Sequence, residues 1–464
     1  MRTYAVALTL LVVCGTVAAA VPAAGAPAGT AASDTDPGVQ ERAAPDLPEQ
    51  WAETHGGSGD DIFADLVRTA DGGYLLVGWT ERDGDTDGWV VKLDGDGQKE
   101  YERTLGGSGT DRFWGVARTD DGYLLAGRSD GDAGPRGWTV ELDASGEVRK
   151  DATTGTGAFY AVARDDSGYL LAGWTRDDGT AGWAVKLDEN RSEAWRASYG
   201  TPEEYDAGYV RAVVPTAEGY YLAGKIEGSS DDAWALKIGQ NGTDRWQATA
   251  GSPDRDDVWA AAPRADNRTN DSGFVLAGET DSDDTGPRDG WLVAFGSNGS
   301  VAWEQRVGGE GTQWLDSAMR LDDGFLFTGS SDRGPHESAD GYVVRTDADG
   351  EIQQERYYGT DGWDKPWPAI RAHDGGYVLA GQTGGDGAQG RDGWALKIGT
   401  ETATADDETA SGDNGTTDGE SSATTDEALQ GETPAGTESA GGVPGFGVLA
   451  ALIALAGAAL LARR

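Results

Sequence analysis

The residues best suited to chemistry are aromatic rings set beside acids. Phe63, Trp114, Tyr160, Tyr209, Trp259, Trp314 and Trp367 each stand near the start of a short apolar segment. Most follow a Gly- and Asp-rich stretch such as GGSGDD from Gly56, GGSGTD from Gly106 or GSPDRDD from Gly251. Rings cover the apolar faces of sugars, and nearby carboxylates and Arg take hydroxyls, so this set suits glycan or peptide binding. The competing reading is packing, because filler between repeated units recurs in the same way.

Asp83, Asp85 and Asp87 in DGDTDG have the D-x-D-x-D-G spacing that can wrap Ca2+, the one cofactor the sequence suggests. A bidentate Glu at the end of the loop is absent and no other copy is complete, which favours a solvated acidic turn. The histidines (His55, His336, His373) do not recur with the other landmarks, and no HExxH, Cys–His cluster, GxSxG or phosphate loop occurs. A non-catalytic protein is therefore expected. A carboxylate-based glycan hydrolase or lyase is the enzymatic alternative, since spacing along the chain says nothing about distances between repeats.

Elements that position these residues follow from a repeat. GYLLVG ending at Gly78 returns as GYLLAG (Gly127, Gly173), GYYLAG (Gly224), GFVLAG (Gly278), GFLFTG (Gly329) and GYVLAG (Gly381), seven copies about 50 residues apart. After each comes a segment of the DGWVVKLD type, from Asp87, Arg136, Ala181, Asp232, Asp289, Asp340 and Asp392. A segment such as Trp51-Ala-Glu-Thr-His or Trp195-Arg-Ala-Ser-Tyr then follows, and a fourth precedes each GYLLxG. These runs are short, rich in Val, Leu, Trp and Tyr, and bounded by Gly, Asp and Asn, which predicts strands.

Four antiparallel strands, A to D, make a propeller blade. The order begins with a D strand at Trp51 and ends with a C strand at Lys397-Ile398. The first strand can thus complete the last blade and close the ring, whereas an open array leaves exposed blade faces. The expected fold is all-β: a seven-bladed β-propeller of four-stranded antiparallel blades, closed by the N-terminal strand. The C-strand tryptophans (Trp89, Trp138, Trp183, Trp234, Trp291, Trp394) are expected in the core.

Residues 50–400 resemble the secreted microbial β-propeller repeats with a GGSGxD…DGGYLLxG…DGWxVKLD pattern, a group defined by its blade and not by a reaction. The Gly239 to Trp246 turn is similar to the blade turn of pyrroloquinoline-quinone dehydrogenases. That resemblance implies vicinal cysteines, and the sole cysteine here, Cys14, lies in the N-terminal apolar run.

The ends carry addresses. Residues 1–25 read as a signal peptide, with Arg2, an apolar stretch and small residues beyond, and 26–48 as a linker. Residues 401–443 form a Thr-, Ser-, Asp- and Glu-rich stalk with too few apolar side chains to bury a core. Residues 444–464 hold Pro444-Gly445-Phe446, an apolar run and Arg463-Arg464. This order resembles the PGF-type sorting signal of archaeal surface proteins. The resemblance implies an archaeosortase that removes the helix, a prenyl-type lipid anchor, and a place on the outer face of the membrane or cell wall. Sequons at Asn190, Asn241, Asn267, Asn270, Asn298 and Asn414 are candidate glycosylation sites on an exported chain.

With 80 Asp and Glu against 37 Lys and Arg, the chain carries a net charge of -43. Such a surface repels phosphates and argues against nucleic acid as a partner. The acids run along the whole chain, and Arg far outnumbers Lys, as in proteins of extreme halophiles, where salt screens the self-repulsion. The expected function is an exported, surface-anchored interaction module for glycans or surface proteins. A purely structural envelope component is the third reading.

Overall fold

The computed structural model describes residues 47–131, 134–177, 179–203, 205–265, 272–281, 287–384 and 390–399. The signal peptide, most of the linker, the stalk, the PGF segment with Pro444, Gly445 and Phe446, and the sequons at Asn267, Asn270 and Asn414 lie outside these. The described residues form 28 strands in seven four-stranded antiparallel sheets, with no helix among them. Each A strand contacts the A strands of both neighbouring blades, all the way round the ring. The A strands therefore line the axis and the D strands form the rim.

Closure follows the permuted order. The first strand, Glu49–His55, pairs antiparallel with Asp392–Ile398 and completes blade 7 as its D strand. Two bonds fasten its lead-in: Gly399 N–H donates to the Pro48 carbonyl at 2.8 Å, and the Tyr358 hydroxyl donates to the carbonyl of buried Leu47.

The repeated glycines have a packing cause. In blade 1, Phe63 and Trp89 pair with Gly78 from either side and stack over it with centroids 4.4 Å apart. Phe113–Trp138 and Phe159–Trp183 repeat this at 4.2 and 4.7 Å. Each stack lies against the glycine that opens the preceding blade's C strand. A Cβ on Gly88 would collide with Phe113 and Trp138, and one on Gly393 with Trp89 and Phe63. Hence Gly stands before the C-strand aromatic, and the six C-strand tryptophans are no more than 5% exposed. At the rim, Trp51, Tyr101, Trp195, Trp246 and Trp303 each cover a C–D turn glycine of the next blade, such as Gly97 under Trp51. Those glycines have positive φ (Gly97 at 86°), a conformation that L side chains adopt at a cost.

The recurring C-strand Lys is also structural. Lys92 is 2% exposed and reaches Asp71 at 3.2 Å and Glu100 at 2.9 Å. Lys186 and Lys397 meet Asp165 and Asp374 in the same way. A buried ammonium is tolerable only with such partners.

Candidate functional site: the mouth of the central channel

The site begins with a bulge in every A strand. Opposite the glycine of GYLLxG, the pairing slips by a residue: Phe63 pairs with Gly78, and the next paired residue is Asp65, not Ala64. The slip recurs in all seven blades. A bulge leaves one residue outside the ladder and re-aims its side chain. The bulged residues are Ala64, Trp114, Tyr160, Arg211, Trp259, Asp316 and, in blade 7, Trp367 with Pro368.

Two more rows join them. One is the residue before the buried position: Ile62, Arg112, Ala158, Tyr209, Asp257, Trp314 and Lys365. It pairs across the strands with the residue after each GYLLxG: Trp79, Arg128, Trp174, Lys225, Glu279, Ser330 and Gln382.

These rows nearly encircle the axis with side-chain contacts. Trp79 meets Trp114 at 6.1 Å and Trp367 at 5.9 Å between ring centroids. Trp114 meets Tyr160 edge-on at 5.1 Å. The Trp174 indole donates to the Tyr160 hydroxyl at 3.1 Å, and its ring meets Tyr209 at 6.1 Å. The Arg112 and Arg176 guanidiniums lie 4.8 Å from the ring centroids of Trp79 and Trp174. Blades 7, 1, 2 and 3, with Tyr209 of blade 4, thus make an aromatic arc.

Blades 4 to 7 make a charged arc. Asp257, 1% exposed, is paired with Arg211 of the preceding blade, with Arg255 at 3.1 Å and with Lys225 at 3.7 Å. Arg288 meets Glu279 at 3.0 Å, and Lys365 meets Asp316 at 3.0 Å. The Lys365 ammonium lies 5.5 Å from the Trp367 ring and 5.9 Å from Trp314, joining the two arcs. Arg211 also lies 3.7 Å over Trp259, which is 39% exposed. Burial pushes the Glu279 and Asp316 carboxyls up, and Asp257 adds to both shifts while Arg288 and Lys365 oppose them. Burial works against the charge on Lys225, yet Asp257 and Glu227 hold its pKa above the ordinary value.

Of the aromatics expected from sequence, Trp114, Tyr160, Trp259 and Trp367 occupy the bulge. Tyr209 and Trp314 stand one row earlier and still reach the mouth. Phe63 does not: it is wholly buried against Trp89, in the row that fills the blade, so it is core and not a ligand contact. The sequence reading missed Trp79, Trp174 and the charged set. Its overlooked signal is the residue after GYLLxG, which runs Trp, Arg, Trp, Lys, Glu, Ser, Gln beside a nearly fixed motif.

The Asp83–Asp87 stretch is not a wrapping loop. Arg82 pairs with Asp85, so Asp83-Gly84 is a two-residue hairpin turn with φ of 55° and 82°. Asp85 accepts from Gly109 N–H at 3.1 Å. Among the described residues no three His, Cys, Asp or Glu side chains converge to hold a metal ion. Asn190, Asn241 and Asn298 are exposed on C–D turns, where Asn241 and Asn298 each accept from the hydroxyl of their own sequon at 2.7 Å.

No curated protein matches this chain in sequence. Solved structures resemble it at low identity. Sqt1 of Chaetomium thermophilum, bound to the N-terminus of ribosomal protein L10, is 14% identical over 75% of this chain and 98% of that one, with a TM-score of 0.46. The Dos1 propeller is 12% identical over 76% and 95%, at 0.46. The quinohemoprotein alcohol dehydrogenase ADHIIG of Pseudomonas putida HK5 is 12% identical over 76% of each chain, at 0.43. Residues 443–464 match the PGF-CTERM motif, which marks this chain as an exported protein, processed by an archaeosortase and anchored at the cell surface through its C-terminus.

Proposed function

We propose that this surface-anchored propeller is a non-catalytic binding module and that a carbohydrate of the cell envelope seats in the channel mouth. One observation carries the reading. Glu279 Oε2, Ser330 Oγ, Gln382 Nε2 and Asp316 Oδ2 are buried without hydrogen-bond partners in adjoining blades, with Ser330 paired to Trp314 across the strands and Asp316 bound to the Lys365 that lies over Trp314 and Trp367. An unmet buried polar group costs about 1–3 kcal/mol, and a polyol supplies donors and acceptors together. The aromatic arc offers the apolar half of the same ligand its surface.

A glycan and surface-protein screen on the full chain in detergent and molar salt tests this. The comparison is a Trp114→Ala, Trp259→Ala, Trp367→Ala variant. Binding lost by a folded variant supports the mouth; binding that survives the three changes places the ligand elsewhere.

One finding favours a second reading. Asp257, Glu279 and Asp316 break the sevenfold pattern and converge, and the upward-shifted carboxyls of Glu279 and Asp316 suit a general acid. In the binding reading Glu279→Gln and Asp316→Asn change affinity, and the wild type releases no product from any oligosaccharide it binds. In the hydrolase reading the wild type turns substrate over and either variant stops it.

The finer points of the anchor belong to the same proposal. A prenyl-type lipid replaces the apolar run beyond Phe446, glycans occupy the exposed sequons, and the acidic surface serves life in concentrated salt. Mass spectrometry of the mature protein reads the first two.

A further inference from the structure

A second set of acids lies at the seams between blades. Asp61, Asp111, Asp256 and Asp364 begin the A strands of blades 1, 2, 5 and 7 and are at most 1% exposed. Each uses Oδ2 to accept the second N–H of its own D–A loop: Gly57, Gly107, Ser252 and Thr360. Each leaves Oδ1 buried with no hydrogen-bond partner, although the Thr280 and Thr383 hydroxyls also bond the Asp256 and Asp364 carboxylates. Beside each stands an acid at or near the start of the preceding blade's C strand: Asp392, Asp87, Asp232 and Asp340. At two of these seams the A-strand Asp N–H bonds the carbonyl just before the C-strand acid, Asp61 to Arg391 and Asp364 to Ala339, which sets the two side by side. The loop's first residue is glycine at all four, and a Cβ there would collide with an oxygen of both acids.

The seven seams form an internal experiment. Four carry both acids. Two carry neither, with Arg136 facing Gly157 and Ala181 facing Gly208 at the same register. One is mixed, Asp289 facing Gln313. Acids scattered for solubility would fall independently on the two strands. Acids that nearly always come and go together act on something between them, because like charges held side by side, at least one of each pair buried, repel unless a cation answers them. At the blade 6–7 seam the protein supplies a partner of its own, His336 Nδ1 on Asp340, which is a cation once protonated and whose pKa the Asp340 carboxylate raises. At the other three no Lys, Arg or His among the described residues is seated on either acid, and at the blade 4–5 seam the Tyr205 hydroxyl reaches Asp232.

We propose that the Asp392–Asp61, Asp87–Asp111 and Asp232–Asp256 seams each bind a hard divalent cation of the calcium type, which staples one blade to the next. Carboxylate oxygens are the ligands such an ion selects, with carbonyl oxygens and water completing its shell. Asp87 thus belongs with Asp111 across the seam, and not with Asp83 along the hairpin.

The test is calcium bound per chain, by equilibrium dialysis of chelator-stripped full chain, read beside thermal unfolding. The wild type is expected to bind three ions and to gain at least about 5 °C in Tm from saturating calcium. Asp61→Asn, Asp111→Asn and Asp256→Asn keep an acceptor for the loop N–H, and each loses one ion. With chelator these variants melt no lower than wild type, because the repulsion is gone; with calcium they melt lower. Gln313→Asp builds a further pair with Asp289 and adds one ion, a gain that no folding defect imitates. A wild type that binds no calcium, or Asn variants that keep every ion, overturns the proposal.

Discussion

The two halves of the channel mouth use the same backbone for opposite ends. From Trp367 of blade 7 through blades 1 to 3 the bulge and its neighbouring rows present rings, held by ring–ring contacts and by one indole-to-hydroxyl bond. In blades 4 to 7 the same rows present buried ions, held by partners reaching across from neighbouring blades. The aromatic arc is a surface that a ligand can cover at little cost to the fold. The charged arc is a fixed network whose members depend on one another. A ring removed from the first should harm binding; an ammonium that answers a buried acid in the second, Lys365 above all, should harm the fold when removed.

The largest expected effect is Lys365→Ala. It leaves Asp316, 4% exposed, without its ammonium, and breaking a buried pair costs about 3–5 kcal/mol. Thermal unfolding measures it, and adding Asp316→Asn to Lys365→Ala should return most of the loss. If the double variant is as unstable as the single one, the arc is packing and not a charge network.

Next is Trp114→Ala in the aromatic arc. Glycan affinity should fall about 10-fold or more, roughly 1.4 kcal/mol or above, while stability falls less than with Lys365→Ala. Equal losses of stability in both variants would erase the distinction between the halves.

A smaller effect separates the mouth from the channel wall below it. Asp65 accepts the Val116 N–H of the next blade at 2.8 Å, and burial pushes its carboxyl up to about 7. An acid raised in the folded state holds its proton longer there than in the unfolded chain, so its contribution falls as pH climbs from about 4 to 7. Asp65→Asn should match wild type near pH 4 and gain on it by about 1–2 kcal/mol above pH 7, after allowance for water in the channel. Melting curves across that range decide it.

The smallest is Glu279→Gln. It keeps the side-chain shape and leaves Arg288 with Asp281 at 2.9 Å, so stability should move by less than about 1 kcal/mol. A ligand hydroxyl that donates to Glu279 Oε2 would lose several-fold in affinity.

Much of this protein is legible in its sequence. GYLLxG and DGWxVKLD, repeated seven times and cut so that a D strand leads and a C strand ends, determined the blade, the blade count and the closure. The reason is local: strand alternation, turn glycines and the space a tryptophan needs are written within each repeat. The PGF segment was likewise readable, because a sorting enzyme reads sequence and not fold. What tertiary structure decided was which side chain of each A strand reaches the axis. A bulge shifts the register by one residue, so Phe63 fills a blade while Trp114, in the next row, lines the mouth. Asp257, Glu279 and Asp316 come from two blades, and Asp392 meets Asp61 across more than three hundred residues of chain. Such meetings depend on how the ring closes, which no single repeat contains.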